Sequence, residues 1–244
     1  MQEVQIDRDQ AHLLLPLCLA SGVLIAIVPI LHPYGTCADW LQKWGDLYAH
    51  MRMWVWLHKL GMFGFALSAG IGFFFPVLSR RTYASVAGGV CLGIGSSFMA
   101  LSTMIHATAT SAIGKSYNAS SIPSDRALLR SIGEAFEAYD VGITGGASML
   151  ISGGAVLITL ALWRRGVLST IPAIIMAGLG LVWTAQFHAV FNRLGFSVPE
   201  TIHWASYGLF LIALGLFLHA HHRGAAAGAS ARAEQPPTEF AKAN

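Results

Sequence analysis

Six stretches of the chain are apolar for long enough to cross a bilayer, whose hydrocarbon core takes about 20 helical residues. They cover roughly residues 13–31, 54–78, 83–111, 133–162, 168–191 and 201–220. Charged residues fall outside these stretches or near their ends, as the cost of burying charge in hydrocarbon demands. The fourth is the weakest at its start, where Glu134, Glu137 and Asp140 interrupt it. The pattern predicts an all-α membrane protein, a six-transmembrane-helix bundle over residues 1–223, followed by a disordered cytoplasmic tail over 224–244. That tail is rich in Ala, Gly and Pro and has little apolar bulk.

The joins give an orientation. Ser79-Arg80-Arg81-Thr82 links the second and third stretches, and Trp163-Arg164-Arg165-Gly166-Val167 links the fourth and fifth. The sixth ends at His219-Ala220-His221-His222-Arg223. Tight arginine turns mark the cytoplasmic side, so both termini are expected inside. The first stretch is too long for a signal-peptide core and follows an acidic rather than basic segment, so it reads as a retained helix. The location this implies is the cytoplasmic (inner) membrane of a bacterium.

The loops on the other side are longer. Residues 38–52 place Trp40, Leu41, Trp44, Leu47, Tyr48 and Met51 on one helical face. This predicts a short amphipathic helix lying at the interface between the first two spans, either as a lipid anchor or as a cover over what lies beneath. Residues 113–132 form a second loop, in which Pro123 and Ser124 would start a helical turn with Ser124 as N-cap.

Composition sharpens the class. Hydrophobic residues make up 55% of the chain, charged residues 11%, and mean hydropathy is +0.57, whereas soluble domains carry about 25% charged residues. The net charge of +3 is scattered, so nucleic acid is not an expected partner. Cys18, Cys37 and Cys91 have neither disulfide-framework nor zinc-site spacing. GxSxG and phosphate-loop patterns are absent, and no enzymatic activity is assigned.

Two patterns remain. Landmarks recur at a spacing of 82–85 residues: His58 with Asp140, Arg80-Arg81 with Arg164-Arg165, His106 with His188, and Gly70 with Gly154. This could be a parallel repeat of the kind found in transporters, or convergence of similar hairpins. Glycines cluster within the spans, either to let helices pack closely or to leave room for a flat cofactor or lipid.

The candidate chemistry lies in one layer. His32, His58, His106, His188 and His203 fall within about two helical turns of one level near the outer ends of five spans. The remaining span brings Glu134, Glu137 and Asp140, and Glu200 shares a helical face with His203. Imidazole and carboxylate could hold Fe, Cu or Zn, or two histidines could ligate haem b. The metal set would be His58, His106, Glu137, Asp140, His188, Glu200 and His203, and the cofactor set His58, His106, His188 and His203. Interfacial histidines that are simply hydrogen bonded are the plainer reading. Three functions follow: a redox subunit linked to quinol, a small proton-coupled transporter using Asp140, or an accessory subunit among other membrane subunits.

Overall fold

A computed structural model describes residues 8–31, 51–78, 82–183 and 200–233 of the chain. Every regular element among them is helical: α1 (Arg8–Leu31), α2 (Met51–Leu78), α3 (Tyr83–Ile105), a π-helical turn (His106–Thr110), α4 (Ser111–Ala119), α5 (Pro123–Arg164), α6 (Thr170–Val182) and α7 (Glu200–Ala233). Five segments are long and apolar enough to cross a membrane: Leu13–Leu31, Arg52–Pro76, Tyr83–Ala119, Pro123–Arg164 and Ile202–Gly224. The protein is therefore a multi-pass helical membrane protein. Within the fifth predicted stretch, α6 supplies an apolar helix of 13 residues, and residues 184–191 lie outside the described part. So does the predicted interfacial helix, except for its last two residues.

Three sequence expectations change. Residues 113–132 are almost wholly helical, interrupted at 120–122 just ahead of Pro123. Pro123 is itself the first residue of α5, with Ile122 as N-cap and no side-chain cap bond, so Ser124 is not the cap. A proline at the first helical position is pre-set in φ and loses no hydrogen bond. The stretch expected to open the tail continues α7 to Ala233, consistent with alanine being the best helix former.

Local chemistry fixes the turns. Thr82 and Ser85 form a reciprocal capping box at the start of α3: the Ser85 amide donates to Thr82 Oγ1 at 3.1 Å and the Thr82 amide to Ser85 Oγ at 3.0 Å. After α5, the Gly166 amide bonds the Trp163 carbonyl at 2.9 Å and the Val167 amide bonds Leu162 at 3.0 Å. This is the Schellman arrangement, and it requires the left-handed φ of +70° that Gly166 adopts.

The six long elements close into a ring in which α1 meets α2, α2 meets α3, α3 meets α5, α5 meets α6, α6 meets α7, and α7 returns to α1. Glycines set the closest approaches. A Cβ on Gly72 of α2 would meet the Gly93 amide nitrogen of α3 at 2.5 Å, and one on Gly154 of α5 would meet Leu92 N of α3 at 2.6 Å. Gly22 of α1 and Gly208 of α7 each face the other's carbonyl oxygen at 2.5 Å. Close packing therefore explains these glycines, while Gly70, Gly142, Gly145, Gly146 and Gly153 have nothing within 4 Å of a Cβ position. Gly70 and Gly154, equated in the possible repeat, thus have different surroundings.

The interior of the ring is filled by Phe65, Tyr207, Phe210, Ile151 and Met176, all nearly inaccessible. Buried hydroxyls tie three helices together there. Ser68 of α2 and Ser96 of α3 are 2.9 Å apart, Tyr207 OH of α7 is 3.0 Å from Ser96 Oγ, and it also meets Ser68 Oγ. Replacing Tyr207 by phenylalanine should cost about 1 kcal/mol, since Ser68 and Ser96 can still bond each other. Denaturant titration in detergent checks this; a loss of several kcal/mol would mean that the ring hydroxyl organises the core.

Candidate proton-exchange site

The site lies at the bundle end away from the α5–α6 turn. His58 is about two turns into α2, His106 opens the π turn after α3, and Asp140 lies within α5. Antiparallel register sets the first pair: Thr82 starts the α3 arm, and His58 and His106 lie equally far from it along the chain. In keeping with this, a Cβ on Gly61 would touch Thr103 at 3.8 Å.

Helix phase then selects among the acids. Ala147, Ile151, Ala155 and Ile158 form the buried face of α5. At about 100° per residue, Asp140 is two turns before Ala147 and within about 20° of that face, whereas Glu137 is about 80° away. Accordingly, Asp140 is largely shielded while Glu134 and Glu137 are exposed.

These residues form one hydrogen-bonded array. His106 Nε2 is 3.0 Å from Asp140 Oδ2, and Ser102 Oγ donates to Asp140 Oδ1 at 2.5 Å. The carboxylate is thus held by a hydroxyl from one side and an imidazole from the other. His58 Nδ1 is 2.9 Å from the Trp54 carbonyl. A carbonyl only accepts, so Nδ1 carries the proton there. By the same argument His106 Nε2 carries the proton that faces the ionised carboxylate. The two imidazoles lie 5.6 Å apart between ring centroids, inclined by 22°, and Trp54 packs on His58 at 4.3 Å. The His106 and Asp140 side chains keep 26% and 15% of their exposure, so the pair is neither sealed nor open.

The π turn supports this geometry. Its extra residue breaks the regular i→i−4 ladder, and Ser111 Oγ donates to carbonyls within it, at 3.1 Å to Ala107. π turns are recurrent at functional positions; here one begins at the histidine that meets the acid.

His203 is buried on α7. Gly64 faces Ile25 and Gly208 faces Gly22 across α1, a register that sets His203 about one turn deeper than His58. Glu137 is exposed. His32, His188 and the side chain of Glu200 lie outside the described residues. Among the described residues no group of three or more His, Cys, Asp or Glu side chains is arranged to hold a metal ion. Among the described residues the gathered side chains form a hydrogen-bonded His106–Asp140 pair with the His58 ring beside it. Sequence reasoning missed Ser102, although its place four residues before His106 puts both on one face of the helix, and it missed Trp54.

The fold and site together define a multi-pass helical membrane bundle carrying a His–Asp pair near one end of its spans. Comparison with known proteins finds no matching family model, no matching curated protein and no matching solved structure.

Proposed function

We propose that this chain is a six-span protein of the bacterial inner membrane, with both termini inside, whose His106–Asp140 pair exchanges protons at the outer face in a quinol-linked redox system. The observation that carries this reading is the 3.0 Å contact between His106 Nε2 and Asp140 Oδ2, with Ser102 on the second carboxylate oxygen. A hydroxyl proton leaving a quinol needs an acceptor, and a carboxylate–imidazole pair supplies one near neutral pH. The level of the pair suits a headgroup at the bilayer boundary. The electron acceptor would belong to other membrane subunits, or to haem b or an Fe, Cu or Zn ion held with the help of His188, His203 and Glu200; the residues described do not by themselves fit such a group.

Binding of a short-chain benzoquinol to the purified protein tests the reading. His106→Gln should weaken it about tenfold, the value of one good hydrogen bond. Equal affinity in wild type and variant would remove quinol as the partner. Optical absorption and metal analysis of the same preparation decide the cofactor: a Soret band or stoichiometric metal supports the redox reading.

A second reading, proton-coupled transport, is favoured by the buried Ser68–Ser96–Tyr207 hydroxyls. They lie about 15 Å further along α2 and α3 than His58 and His106 and could extend a proton path inward. It requires solute uptake driven by a pH gradient and lost in Tyr207→Phe.

A further inference from the structure

Two polar side chains deep in the bundle lack hydrogen-bond partners among the described residues: Ser152 Oγ on α5 and Trp183 Nε1 at the end of α6. Both are more than nine-tenths buried, with 2% and 5% of their surface accessible. They are close to each other by register. A Cβ on Gly180 of α6 would lie 2.6 Å from Ala155 Cβ of α5. The two helices run antiparallel, so three residues back from Ala155 and three on from Gly180 the next layer is Ser152 opposite Trp183.

The surroundings limit what could satisfy them. The Trp183 ring packs against Phe65, Trp204 and Tyr207 with centroids 5.8, 5.5 and 5.3 Å away. Among the described residues no Asp, Glu, Lys or Arg side chain is fully buried. Indole nitrogen can only donate, and a serine hydroxyl can donate or accept. A group that completes both must therefore accept a hydrogen bond from Trp183, be neutral, and be small where it enters the aromatic wall. Buried polar groups are almost always satisfied, by protein, ordered water or ligand.

We propose that Trp183 and Ser152 form a buried site between α5 and α6 for a neutral acceptor oxygen, from a water molecule or from the carbonyl of a lipid-soluble ligand. The site is separate from the His106–Asp140 pair and does not depend on its role. It links α5 to α6, the helix pair that closes one side of the ring.

Indole 15N labelling of the full chain in lipid nanodiscs tests this. Seven tryptophans give seven indole resonances, and Trp183→Phe, or elimination using the other six, assigns the one of interest. That resonance is expected downfield, in the hydrogen-bonded range, and Ser152→Ala should move it while leaving the others in place. A resonance at the position of a free indole, indifferent to Ser152→Ala, overturns the proposal. Adding a short-chain benzoquinone separates the two sources. Saturable movement, with affinity about tenfold weaker in Ser152→Ala, assigns a ligand carbonyl; an unmoved resonance with exchange contacts to water assigns water. The same spectrum from Asp140→Asn should be unchanged at Trp183, so failure here is distinct from failure of the proton-exchange reading.

Discussion

Gly72→Leu is expected to dismantle the bundle. A Cβ at this position meets backbone on the neighbouring helix, 2.5 Å from the Gly93 nitrogen and 2.8 Å from the Gly89 carbonyl oxygen. Backbone cannot swing aside as the tip of a side chain can, so α2 and α3 must separate. Overpacking a well-filled core costs about 1–3 kcal/mol, and a leucine between two backbones should reach at least the upper figure, about 3 kcal/mol. Separation of these helices also draws His58 from His106. Gly153→Ala is the matched control. Gly153 has nothing within 4 Å of its Cβ position, and alanine in a helix interior is favoured over glycine by about 0.5–1 kcal/mol. Thermal unfolding in one detergent should therefore rank Gly153→Ala at or above wild type and Gly72→Leu far below. Equal stability of the two variants would mean that α2 and α3 do not approach through these glycines.

Asp140→Asn should leave the fold intact and abolish proton exchange. Asparagine has the same shape, and its carbonyl oxygen can still accept from Ser102 or His106. What it lacks is the negative charge that stabilises a protonated His106 and the oxygen that could itself take the proton. Positioned acid–base groups contribute about 10²–10⁴-fold to rate, so a loss of at least about a hundredfold is expected. The assay is proton exchange across proteoliposomes containing a lumenal pH dye, with the variant's melting temperature measured alongside. A variant that melts like wild type and exchanges protons within about threefold of it would show that the pair is structural. The transport reading requires this large loss, whereas the quinol-linked reading, which places exchange at the outer face, is tested by quinol binding.

Much of this arrangement could be read from the chain. Long apolar stretches placed the membrane helices, and the ends of those stretches placed His58 and His106 near one level. The selection of Asp140 over Glu137 was also present in principle, in the seven-residue step to Ala147. It went unread because α5 is apolar on nearly all sides beyond Gly142, and hydropathy alone does not mark its buried face. The same holds for α1, whose buried positions Leu14, Cys18, Ser21, Ile25 and Val28 sit among equally apolar residues that face outward.

Hydrophobicity, by itself, determined that this protein is a helical membrane protein with polar residues gathered near the ends of its spans. That follows because hydrocarbon excludes charge whatever the helices do next. The tertiary structure decided which helices are neighbours, which glycines are contacts and which are open, and which few of the candidate residues meet. Lipid is as apolar as a protein core, so burial against lipid and burial against a helix look alike in sequence. Only close fit between backbones tells them apart, and that fit is what brings His106, Asp140 and Ser102 within hydrogen-bonding distance.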